Sequence, residues 1–90
     1  MDPRDRIRLQ RLADALNSAI RFARGRERGD LDTDEMLLFA LVRAVEIAGE
    51  AASQVTAETR ALLPDLPWGS IVGMRSRLVH AYFDINRGIL

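Results

Sequence analysis

The sequence predicts an all-α protein, an antiparallel bundle of three long helices and a fragment of a fourth. Apolar residues recur at spacings of three and four along most of the chain, the period of an amphipathic helix. Runs that alternate with the period of a strand are few. Gly and Pro residues read as punctuation between the helical segments.

The first helix is expected from Pro3 to Arg24. Asp2 is placed to cap it, Pro3 suits the first helical position, and Asp5 adds negative charge to the first turn. Leu9, Leu12, Leu16, Ile20 and Ala23 form one apolar stripe. Gly25 to Asp30 is polar, with two Gly, and reads as a turn. The second helix is expected to start near Asp32, because Asp32 and Glu35 have the spacing of a capping box. Met36 to Ala48 then offers apolar side chains over most of the circumference. Such a helix is buried on more than one side, here against its own partners and a second subunit. Thr56 to Leu62 reads as a short helix or turn, and Pro64 and Pro67 bracket the next connection. Pro67 suits the start of the third long helix, with Asp65 or Leu66 near the cap. Trp68, Ile71, Val72, Arg75, Leu78, Val79 and Tyr82 follow helical spacing. Asp84 or Asn86 suits the cap of a fourth helix, of which the chain to Leu90 holds a stub.

Ninety residues make one domain, 1–90. A chain this short buries only about 60% of the surface its unfolded form exposes, so oligomerisation is a natural way to gain buried area. With no cysteine, neither disulfides nor thiolate metal sites reinforce it. No apolar stretch approaches the roughly 20 residues of a membrane span, and the N-terminus lacks the apolar core of a signal peptide. A cytoplasmic protein without a membrane partner is expected. Formal net charge is zero, but residues 1–30 hold eight Arg against five acids and residues 31–90 hold five Arg against eight acids. A strong nucleic-acid binder shows a basic excess. Any RNA contact is therefore local, and no DNA partner is expected.

His80 is the only histidine, and so the only side chain whose ordinary pKa lies near neutrality. Arg75 precedes it by five residues and Tyr82 follows by two. These residue types suit RNA cleavage. A base must take the proton of the ribose 2′-hydroxyl and an acid must protonate the departing 5′-oxygen, and histidine does either. A guanidinium matches the phosphate oxygens with a planar fork while negative charge grows at phosphorus. No metal or cofactor is called for. Positions five apart are offset by about 140° on a helix, so Arg75 and His80 share no face of an ideal one. Ser76, four before His80, does share its face. Two weaker constellations remain. Glu46 and Glu50 read as a polar strip or a partner for Arg in preference to a divalent-cation site. Arg24, Arg26 and Arg28 read as a solvated loop in preference to phosphate contacts.

The segment Trp68-Gly69-Ser70-Ile71-Val72-Gly73-Met74-Arg75-Ser76-Arg77-Leu78-Val79-His80-Ala81-Tyr82 resembles the signature of HepT-type proteins of the HEPN superfamily. Ala44 to Ala52 resembles the second-helix motif of the same family, and the likeness covers nearly the whole chain. The resemblance implies a HEPN-type helical bundle that homodimerises and places the Arg–His motifs of two subunits in a cleft. It implies a toxin that cleaves RNA with Arg75 and His80 as catalytic residues, supported by Ser76. It implies a cognate minimal nucleotidyltransferase antitoxin, MntA, that transfers AMP to Tyr82. A phosphate-bearing group there competes for the guanidinium. Two positions differ from the family pattern. The residue after the motif Arg is often Asn and is Ser76 here, and the final helix is truncated at Leu90. Both leave a second reading open, a non-catalytic module that dimerises and holds a nucleotidyltransferase.

Overall fold

The computed structural model describes residues 1–79, and those residues form helices and connections without a strand. Five helices follow in order: α1 (Pro3–Ala23), α2 (Asp30–Thr33), α3 (Glu35–Gln54), α4 (Ala57–Leu62) and α5 (Trp68–Val79). The all-α expectation holds. Helix α3 is the central element, with α1 and α5 both packed against it and α2 against its first turns. The expected fourth-helix stub, with its caps Asp84 or Asn86, lies outside the described residues.

Helix α1 begins as the sequence predicts. Asp2 caps it by accepting from the Arg4 N–H at 2.8 Å, and Pro3 occupies the first position. It ends where Gly25 adopts φ +74°. That left-handed conformation disfavours a side chain and stops the helix.

The connection differs from the expected turn. Residues 30–33 wind into α2, which uses Asp32 inside a helical turn. The cap of α3 is therefore Asp34, not Asp32. Asp34 has the extended backbone that a cap requires (φ −115°, ψ 93°), and its carboxylate accepts from the Leu37 N–H at 3.0 Å. Arg26 then staples the loop, reaching Asp34 at 2.7 Å and Asp30 at 3.3 Å.

The core shows why α3 can be central. Leu12, Ala15, Ala48, Ala51, Ala52 and Ile71 are buried together, and Leu16, Ile47, Trp68 and Met74 pack against them. On α3 the buried positions are nearly all small: Ala44, Ala48, Gly49, Ala51 and Ala52, with Leu37 the exception. The larger payload comes from the flanking helices. Each fully buried Leu or Ile contributes roughly 1.5–3 kcal/mol, and Leu12 of α1 and Ile71 of α5 fill that role. The expectation that glycines only punctuate helices fails at Gly49, Gly69 and Gly73, which lie inside α3 and α5. For Gly49 packing gives the reason, because Ile71 and Val72 bring their carbonyls close to it. A Cβ there would stand 3.5 Å from both oxygens.

Asp5 does more than favour the first turn. It is fully buried and reaches across the bundle to the start of α4. Its carboxylate accepts from the hydroxyls of Thr56 and Thr59, each at 2.6 Å, from the Thr56 N–H at 3.3 Å and from the Arg8 guanidinium at 2.9 Å. Thr56 in turn caps α4, its hydroxyl oxygen accepting from the Thr59 N–H. One carboxylate thus ties the first turn of α1 to the junction of α3 and α4, which also fixes α1 antiparallel to α3. The hydroxyls of Thr56 and Thr59 hold the Asp5 carboxyl well below the usual carboxylate range. Burial opposes them, and Arg8 and the Thr56 amide add to the lowering.

The folded carboxyl is more acidic than the unfolded one. Its contribution to stability is therefore fully present above the unfolded value of about 3.9 and is lost as the pH falls towards the folded value. Asp5→Asn is expected to lower the urea midpoint near neutral pH. The gap to the wild type should then narrow progressively below about pH 4; a gap independent of pH would contradict the network. At Gly49, 3.5 Å is an ordinary contact, so Gly49→Ala is expected to be neutral or to stabilise by up to about 1 kcal/mol through helix propensity. Gly49→Leu overpacks the seam and should cost about 1–3 kcal/mol in the same unfolding measurement.

Candidate active site

Helix α5 carries the motif from Trp68 as far as Val79, and the start of α5 is built around Trp68. The Trp68 indole N–H donates to the Leu63 carbonyl at 3.0 Å, and the Arg60 guanidinium lies 5.4 Å from the ring centroid. Arg60 also donates to the carbonyls of Ala52 at 2.8 Å and Val55 at 3.2 Å, satisfying the open end of α3. Trp68 and Arg60 thereby fasten the start of α5 to the last turn of α3. One turn further along α5, Ile71 and Val72 meet Gly49. Successive levels of α5 therefore meet earlier levels of α3, and the two helices are antiparallel.

This pairing leaves a groove on one side of the seam. Glu46, Gly49, Glu50 and Ser53 of α3 form one wall and Val72 and Ser76 of α5 the other, around a volume of about 410 Å³. Ser76 is exposed there, Glu46 is half-buried and Glu50 is exposed. The structure thus brings Ser76, a residue of the motif, together with Glu46 and Glu50, which the sequence offered as a separate constellation. The link was not legible in the sequence because it depends on the register of α5 against α3. Arg75 lies on α5 beside Ser76. His80 and Tyr82 fall outside the described residues.

The weaker constellations can be placed too. Among the described residues no three His, Cys, Asp or Glu side chains gather as a metal site, so the groove's two carboxylates gain serines as neighbours and no third acid. Arg26 is the staple between Asp30 and Asp34. The two acids show it electrostatically. The Asp34 carboxyl is lowered first by Arg26 and then by the Leu37 amide, and Asp30 first by the Glu27 amide and then by Arg26. A guanidinium so engaged is not a phosphate clamp. Arg24 and Arg28 are exposed.

A second cavity, of about 500 Å³, lies between α1 and α3. Its floor is apolar, with Ala15, Phe22, Ala44 and Ile47, and Arg11 and Arg43 also line it. It shares no residue with the α3–α5 groove.

Comparison with known proteins matches residues 12–90 to the family model described as ribonuclease HepT-like. A Methanocaldococcus jannaschii protein with a provisional RNase name is 32% identical over 75 residues, 83% of this chain and 69% of that protein. A Thermococcus cleftensis protein named as a probable ribonuclease HepT is 34% identical over 82 residues, covering 91% of this chain and 74% of its own length. A Caldanaerobacter subterraneus subsp. tengcongensis protein, again with a provisional RNase name, is 41% identical over 61 residues, 68% of this chain and 54% of that one. No solved structure matches the chain. With the helical fold and a family match over most of its length, the chain belongs to the HepT-like ribonuclease family of the HEPN superfamily.

Proposed function

We propose that this chain is a metal-independent endoribonuclease and the toxin of a toxin–antitoxin pair. The observation that carries the reading is the place of Ser76, the residue after Arg75 in the motif, on the wall of a polar groove that α3 completes. The family match, and relatives named as ribonucleases, support the same reaction class.

In this reading the ribose 2′-oxygen attacks phosphorus as the P–O5′ bond breaks. One histidine acts as base and takes the 2′-hydroxyl proton, and an acid delivers a proton to the departing O5′. His80 acts as the base or as the acid. Arg75 neutralises the charge that grows on the phosphate oxygens, and Ser76 orients one of the two through its hydroxyl. The products carry a 2′,3′-cyclic phosphate and a 5′-hydroxyl. The chain works as a single domain, 1–90, and as a cytoplasmic homodimer. Exposed Met36 and Phe39, 83% and 52% accessible on α3, give a second subunit apolar area to cover. The antitoxin is a minimal nucleotidyltransferase that transfers AMP from ATP to the Tyr82 hydroxyl, with pyrophosphate leaving. The added phosphate blocks the site and competes for Arg75.

Purified protein is expected to cleave total cellular RNA in the presence of EDTA. His80→Ala and Arg75→Ala should each reduce the rate by roughly 100- to 10,000-fold. Products with a 5′-phosphate, or activity that EDTA abolishes, would contradict the mechanism. A folded dimer that cleaves nothing would favour the non-catalytic binding module, for which Ser76 in the usual place of Asn is the supporting feature.

A further inference from the structure

We infer that Arg77 is an RNA-binding residue that grips a backbone phosphate beside the α3–α5 groove, an inference that rests on the nuclease reading above. Arg77 is exposed on α5, two residues after Arg75 in the sequence. Its side chain folds back along its own helix, and the guanidinium Nη2 donates to the Ser70 carbonyl at 2.7 Å.

Ser70 precedes Arg77 by seven residues, which is two turns of helix and about 10.5 Å along the axis. Helical side chains lean towards the N-terminus, and a long one laid flat against the backbone spans that distance. Gly73, four residues before Arg77, lies on the same face and on that path. A Cβ there would stand 3.2 Å from Arg77 Nη1 and 4.0 Å from its Cζ. This interior glycine of α5 thus leaves room for the guanidinium to lie against the helix.

The group that holds Arg77 is a carbonyl, and that matters for charge. Arg4, Arg8 and Arg26 each face a carboxylate, which offsets their charge. Among the described residues no carboxylate pairs with Arg77, so its position is set while its charge stays available. One of the five guanidinium N–H groups is used at Ser70, and the others can meet phosphate oxygens. Because the side chain is already ordered, less conformational freedom is lost when it binds.

The strip formed by Ser70, Gly73 and Arg77 borders the groove. Ser76 lines the groove, and Gly73 precedes it by three residues, the spacing of neighbours on a helix surface. Ser70, Ser76 and Arg77 are all exposed, so a strand that runs past the groove wall can lay a phosphate on Arg77. That phosphate lies outside the bond that breaks, and Arg77 therefore contributes binding and not chemistry. A local contact of this kind suits a chain with zero net charge whose substrate is a polyanion.

The test uses the full chain and a single-stranded RNA oligonucleotide 2′-O-methylated throughout, which lacks the attacking hydroxyl. Fluorescence anisotropy is read across a salt series. Arg77→Gln is expected to weaken binding roughly 10-fold and to make the slope of log affinity against log salt shallower by about 0.7. Arg77→Lys should keep the slope. Gly73→Ala keeps the charge and favours the helix, yet it should weaken binding roughly 2- to 10-fold and add nothing to Arg77→Gln. On cleavable RNA, Arg77→Gln should raise KM and leave kcat nearly unchanged. Wild-type affinity and salt slope for Arg77→Gln, in a chain that cleaves RNA, would overturn the proposal alone. The expected loss of slope in a chain that cleaves no RNA would uphold the Arg77 contact and remove the nuclease reading alone.

Discussion

Helix α3 is approached from two sides at once, and the rest of the structure depends on that constraint. A helix can accept two neighbours closely only if its facing positions are small. Ala44, Ala48, Gly49, Ala51 and Ala52 meet this condition, and Leu12, Ile71 and Trp68 bring the bulk from outside. This division of volumes sets the distance between α3 and α5. That distance decides which α3 side chains share a groove with the motif on α5. Packing and the candidate site are in this sense one design.

The ends of α3 are controlled by polar groups. At its start Asp34 serves both as cap and as partner of Arg26. At its end Arg60 collects the open carbonyls and lies over Trp68. Close by, Asp5 gathers Thr56 and Thr59 in a buried, fully bonded network. A buried carboxylate without those donors would be strongly unfavourable. With them it specifies one arrangement of α1 against the α3–α4 junction. A chain of this size has little hydrophobic area to spare, and directional contacts of this kind select one packing among several that apolar burial alone would allow.

The HepT-like family assignment and the structure meet at α5. The family signature begins at Trp68, whose work in the fold is to dock the helix, and continues through Ile71, Val72 and Gly73 to Arg75 and Ser76. The first part of the signature is thus explained by packing. The same helix carries Ser76, so the docking of Trp68 also sets Ser76 on the groove that Glu46 lines.

The sequence by itself determined the helical class, the limits of α1, the short α4 and the start of α5, and it nominated the residues for phosphodiester chemistry. These follow from local rules: helical periodicity, caps, proline geometry and the few side chain types that move protons near neutral pH. The tertiary structure decided the rest. It moved the cap of α3 from Asp32 to Asp34, because α2 winds the intervening residues into a turn. It converted Asp5 from a first-turn charge into a cross-bundle anchor, which no local spacing reveals because its partners lie 51 and 54 residues away. It set Glu46 and Ser76 on one groove, since groove membership depends on the register of two helices. Periodicity states which face of a helix is apolar, but only the packed volumes of Gly49, Ile71 and Trp68 state which residues of another helix that face will meet.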